Sequence, residues 1–180
     1  MKIVKYCLLP ILLFLMALFG LGMAAPDGWD VEVSTNIRAS PAEIHGYLND
    51  LRRWPEWTSV SSDEEAQFEF TYEGEDLGVG AIAYSKGSGS NVRWEITASD
   101  PAKGIWFDEM LSGSSGEVMA KGAIMLEAQG DTTKVTWVDA GSLGTMPFIR
   151  LFHYMMQNSL TAAYQRNLEK LKQLVEKPGS

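Results

Sequence analysis

The sequence predicts an α+β domain in which a curved antiparallel sheet of about seven strands holds one long C-terminal helix across its concave face, with two short helices after the first strand. Three observations predict it. An alternating apolar segment comes first and runs into a well-capped short helix. Six strand-like runs then succeed one another with turn residues between them and no helical connection, which rules against a parallel sheet. After residue 147 the apolar period changes from that of a strand to that of a helix. One straight helix cannot fill a strongly curved sheet, so an internal space under it is expected.

Residues 29–38 put Trp29, Val31, Val33 and Thr35 on one face, continued by Ile37, as a strand with one buried side does. Ser40-Pro41-Ala42-Glu43 then opens a helix. Ser40 is the N-cap, Pro41 fills the first helical position and Glu43 completes a capping box. Ile44, Tyr47, Leu48 and Leu51 form its apolar stripe, and the helix breaks near Trp54-Pro55 because a residue before proline avoids the helical region. The six runs are Phe68, Phe70 and Tyr72 up to Gly74, then residues 79–86, 92–98, 104–111, 117–128 and 134–140. They are separated by turn sequences such as Gly87-Ser88-Gly89-Ser90 and Asp100-Pro101, which suggests a meander of hairpins. Ile149, Phe152, His153, Met156, Leu160, Ala163, Asn167, Leu171 and Leu174 then recur at helical spacing. They predict one helix over residues 147–176, stopped by Pro178-Gly179.

Residues 1–25 stand outside this domain, which covers residues 29–177. Lys2 and Lys5 precede an uncharged run of 20 residues, 6–25, long enough to cross a bilayer core as a helix. The positive-inside bias places the lysines in the cytoplasm and the domain outside it, in the periplasm or extracellular space. A retained membrane anchor is favoured over a cleaved signal peptide, because cutting after Ala25 would leave Met23 badly placed and Pro26 next to the cut. Cleavage would instead give a secreted domain.

Composition excludes several functions. Two of the 15 basic residues lie in residues 1–25, so the remainder carries 13 basic and 23 acidic residues, a net charge of −10. Such a domain is repelled by nucleic acid. The acidic run Asp63-Glu64-Glu65 reads as a solvated loop and lacks the alternating oxygen ligands of a calcium loop. One cysteine and two histidines make a zinc site of ordinary composition improbable, and Cys7 is misplaced for lipidation. No metal or other cofactor is expected. No Gly-x-Ser-x-Gly, phosphate-binding glycine loop or HExxH is present.

Residues 37–44, Ile-Arg-Ala-Ser-Pro-Ala-Glu-Ile, followed by residues 49–57, Asn-Asp-Leu-Arg-Arg-Trp-Pro-Glu-Trp, resemble the opening of the START/polyketide-cyclase-like superfamily (SRPBCC). Asp100-Pro101 and the long last helix fit the same pattern, so the resemblance covers about residues 29–176. It implies a helix-grip fold enclosing a cavity for lipids, sterols, quinones or polyketides. Some such proteins are cyclases or dehydratases and many only bind or carry. The superfamily has no universal catalytic triad, so no catalytic residue carries over.

The candidate ligand-binding residues are Trp57, Tyr84, Trp94, Phe107, Trp137, Phe148, Phe152, His153 and Met156. Phe148, Phe152, Met155 and Met156 form a soft apolar surface at the start of the last helix. Trp54 and Trp57 could touch ligand or simply staple the short helices to the sheet. His153 lies on the helix stripe, where a satisfied, partly buried histidine is expected ahead of a general base, and His45 reads as surface. Asp108, Glu109 and Asp139 are expected to point outward. Turned inward, any of them would hold its proton more tightly and could meet a ligand hydroxyl or act as an acid. The residues therefore favour a membrane-tethered binding or carrier domain for a small apolar molecule. The alternatives are a cyclase- or dehydratase-type enzyme using the same cavity and an interaction module with a filled core.

Overall fold

A computed structural model describes residues 2–58, 69–87, 90–113 and 116–177, without the side chains of residues 2–8 and 90. The acidic run at 63–65, Phe68 and the stop at Pro178-Gly179 lie outside the described residues, as do the side chains of Lys2, Lys5 and Cys7. A helix α1 (Lys2–Ala24) leads into β1 (Gly28–Ile37), α2 (Pro41–Leu48) and a 3-10 helix (Leu51–Glu56). Six strands follow: β2 (Glu69–Gly74), β3 (Ala81–Lys86), β4 (Ser90–Asp100), β5 (Gly104–Gly113), β6 (Gly116–Gln129) and β7 (Thr132–Ser142). The chain ends with α3 (Pro147–Arg150) and α4 (His153–Val175).

The strands form one antiparallel sheet in the order β1-β7-β6-β5-β4-β3-β2, a meander from β2 to β7 with β1 added beside β7. Each strand turns its alternate residues inward, so Val31, Trp94, Ile96, Phe107, Ile124, Val135 and Trp137 share one concave face. Leu168 and Leu171 of α4 close that face and are fully buried. The expected α+β helix-grip architecture is therefore observed, with both short helices after β1. The capping box also forms: Ser40 accepts from the Glu43 backbone N–H, and the Glu43 carboxylate accepts from the Ser40 N–H at 2.8 Å.

Three local expectations are corrected. The predicted helix over 147–176 is two helices, because Ile149 and Phe152 donate to carbonyls three residues back, at Met146 and Ile149. That tightened turn lets Phe148 pack against Phe19 of α1 (6.2 Å between rings) while His153 turns in to bond the Gly28 carbonyl. β3 begins at Ala81 rather than at Val79, because Gly78 and Gly80 take positive φ values of 71° and 89° that a strand does not allow. His45 is buried rather than on the surface, with its Nε2 2.9 Å from Ser99 Oγ. Burial lowers its pKa despite nearby Asp100. Among the described residues no helix is long and apolar enough to cross a membrane, so the expected membrane span is not shown.

Candidate functional site

The cavity lies between α4 and the concave face of β4, β5 and β7. Its volume is about 120 Å³ and it is partly open to solvent. Trp54, Trp94, Trp137 and Tyr164 supply aromatic walls, Val92, Leu111 and Leu160 supply aliphatic ones, and Glu109 and Asn167 supply polar groups. A cavity of about 150 Å³ holds a benzene ring. This one therefore takes one small ring or branched group, and a longer ligand would extend out of it.

The aromatic floor is built around Trp54. Its ring lies 5.6 Å from Trp57, 5.9 Å from Trp94, 5.4 Å from Phe107 and 6.4 Å from Trp137, all tilted or edge-on. Trp54 lies in the 3-10 helix just before Pro55, and its Nε1 donates to the Leu48 carbonyl at 2.9 Å, so the indole is fixed in place. Trp137 in turn stacks flat on Tyr164 of α4 at 4.4 Å.

The opposite corner is polar. Glu109 and Asp139, 8% and 1% exposed, both point inward, contrary to the outward expectation. Asp108, the neighbour of Glu109, does point out, toward Lys121. Strand alternation explains both: inward residues on β5 are odd-numbered, and so are those on β7. Glu109 pairs across β6 with Ala120, and Asp139 pairs with Gly122. Only these two small residues separate the carboxyls. A Cβ on Gly122 would overlap the Phe107 ring, and one on Gly141 would overlap the Trp29 ring. The small positions thus make room for large neighbours and for the acid pair.

Asp139 Oδ1 accepts from Trp29 Nε1 at 2.6 Å. The Glu109 carboxyl and the Tyr164 hydroxyl also face Asp139, closely enough to shift its titration, although Oδ2 is buried and completes no well-formed hydrogen bond. Burial first, and the Asp139 charge second, push Glu109 up from 4.5 to about 8. Burial also raises Asp139, while the donors Trp29 and Tyr164 pull it back. Burial and both acids raise Tyr164 well above its usual value. The arrangement is a buried acid pair in which both carboxyls hold their protons more tightly than usual and the Trp29 and Tyr164 donors face Asp139.

Of the candidate residues, the structure brings Trp94 and Trp137 to the cavity. Trp57 and Phe107 are buried in the layer behind it, against Trp54. Met156 is partly buried against the core. His153 is buried and held by the Gly28 carbonyl, as a satisfied histidine. Tyr84 lies on the outer face and donates to Glu73 at 3.1 Å, because its even-numbered position on β3 faces away from α4. Phe148 and Phe152 are exposed, Phe152 at 57%, and do not reach the cavity, since the turn before α4 swings them outward. The reasoning missed Tyr164. It sits four residues after Leu160, and Leu168 follows four later, so the helical stripe itself contained the signal. The space expected beneath the last helix is present.

The chain matches the polyketide cyclase / dehydrase and lipid transport family over residues 28–176. No curated protein matches it. It is similar in structure to a protein from Chromobacterium violaceum, at 15% identity and a TM-score of 0.60 over 84% of this chain and 99% of that one. A conserved protein from Geobacillus kaustophilus is similar at 15% identity and a TM-score of 0.62, over 83% and 95% of the two chains. DynU16, from the dynemicin biosynthetic locus, is similar at 19% identity and a TM-score of 0.53 over 84% of this chain and 48% of that one. At such identities these likenesses establish the fold.

Proposed function

The chain belongs to the polyketide cyclase / dehydrase and lipid transport family, and from that premise we propose that it is a binding or carrier domain for a small, largely apolar molecule seated beneath α4. One observation carries the reading: an aromatic-walled cavity between α4 and the sheet, where a merely structural helix would pack the space shut. The test is native mass spectrometry of the purified protein, joined to thermal shifts with a lipid, quinone, sterol and polyketide panel. Retained small-molecule mass or a raised melting temperature supports it. An empty protein that ignores the whole panel contradicts it.

The proposal also places the domain outside the cytoplasm, tethered to a membrane through residues 6–25. The large described side chains of α1 support this, Leu12, Phe14, Met16 and Leu21 among them being apolar and exposed. Met146, Phe148, Phe152 and Met155 form an exposed apolar shoulder beside α1, where Phe19 meets Phe148. Sedimentation of the full chain with vesicles, compared with a version starting at Pro26, tests the tether.

A second reading, an acid–base enzyme of the cyclase or dehydratase kind, is favoured by one feature: Glu109 and Tyr164 converge in the cavity with Asp139 behind them. A panel compound chemically altered by the wild type but not by Glu109→Gln would favour this reading over simple binding.

A further inference from the structure

We propose that the cavity selects a ligand whose buried end is a compact organic cation, a substituted ammonium, with the rest of the molecule apolar. This rests on the reading of the cavity as a ligand site and names the chemistry it recognises.

Five observations carry it. The walls at Trp54, Trp94, Trp137 and Tyr164 are aromatic, and aromatic faces attract cations. A carboxyl, Glu109, lines the same space with Asp139 directly behind it, and no Lys, Arg or His is among the described lining residues. Asp139 Oδ2 is buried without a completed hydrogen bond among the described residues, in a residue 1% exposed, so one carboxylate oxygen of the negative corner lacks a full partner. Trp137 Nε1, of a residue also on the lining, has no hydrogen-bond partner among the described residues either. Finally, the volume of about 120 Å³ suits a trimethylammonium-sized group rather than a whole sterol or acyl chain. An anionic head would meet the acid pair and be repelled.

The titratable groups facing Glu109 are Asp139 on β7 and Tyr164 on α4. β4 and β6 present Trp94 and Ala120, which do not titrate in this range. In the empty protein the pair is neutralised in part by the proton on Glu109. A cation entering the corner takes over that role, so the carboxyl gives up its proton to solvent. No bond between heavy atoms forms or breaks.

The test uses the full chain and three probes of one shape: choline, its uncharged isostere with carbon in place of the quaternary nitrogen, and tert-butylacetate as the anion. Isothermal titration in buffers of different ionisation enthalpy reads affinity and proton release together. Choline is expected to bind about tenfold or more tightly than its isostere. Its affinity is expected to rise between about pH 6 and about pH 9, with proton release, and the anion is expected not to bind. Glu109→Gln is expected to abolish the proton release and shrink the preference for choline. Asp139→Asn serves as the second variant should the first fold poorly. An isostere that binds as tightly as choline, or a flat or falling pH profile, overturns the cation assignment while leaving the cavity a ligand site. If none of the three binds and the apolar panel is silent too, the binding reading itself fails.

Discussion

The aromatic floor around Trp54 and the acid corner around Asp139 share one concave face, yet they are built by opposite rules. The floor joins five rings by edge contacts that need only shape and apolarity, and any inward alternating aromatic can contribute. The corner needs each partner by identity: Trp29 to donate, Glu109 to hold a proton, Ala120 and Gly122 to stand aside. A non-directional contact degrades gradually when one member is lost. A buried polar cluster is unbalanced by a single change. The floor therefore supplies stability, and the corner supplies selectivity and a dependence on pH.

The comparison can be broken by substitution, and the largest effect is expected in the floor. Trp54→Ala removes the ring that four others touch and leaves the Leu48 carbonyl without its indole donor. Chemical denaturation is expected to show a loss of about 3–5 kcal/mol. Next comes Gly122→Val, whose branched side chain must displace the Phe107 ring and separate the strands beneath the acid pair. The expected cost is about 1–3 kcal/mol in the same measurement.

The corner is expected to respond through pH. Glu109 holds its proton up to about 8 when folded, against 4.5 as the ordinary value, so between those values the folded protein binds more protons than the unfolded chain. Stability is therefore greatest below about pH 4.5 as far as this group is concerned, and falls as pH rises through about 8. Glu109→Gln keeps a donor toward Asp139 and an acceptor for Trp94 without a titrating proton. Its melting temperature is expected to vary less than the wild type's between about pH 5 and about pH 9. The smallest effect is expected outside both regions. Phe152→Ser should change stability by no more than about 0.5 kcal/mol and leave binding in the cavity unaltered, because the side chain is exposed.

How much of this was legible follows the same division. Alternation along β1, β4 and β5 announced the sheet, and Ser40 with Glu43 announced α2, because both signals are local. Trp94 and Trp137 could be named as cavity residues from aromatic strand positions, but aromatic character alone did not decide, since Tyr84 faces outward and Phe107 lies behind the cavity. The acid corner could not be seen whole. Glu109 and Asp139 are 30 residues apart in sequence, and only the register through β6 makes them neighbours. The parity of each strand decided that Glu109 and not Asp108 turned inward, and a turn at Leu151-Phe152 decided that Phe148 and Phe152 left the cavity. The tight backbone at Gly78 and Gly80 was equally invisible in the apolar run that contains Val79.

Six indole N–H signals make the cavity observable in solution by proton–nitrogen correlation spectra. Trp94 and Trp137 line the space under α4, whereas Trp106 lies on the outer face of β5. Titrating the protein with choline, or with whichever panel compound raises the melting temperature most, is expected to move the Trp94 and Trp137 signals and leave that of Trp106 in place. A ligand that shifts Trp106 while Trp94 and Trp137 stay fixed would show that binding happens elsewhere and that the hollow beneath α4 is only a packing gap.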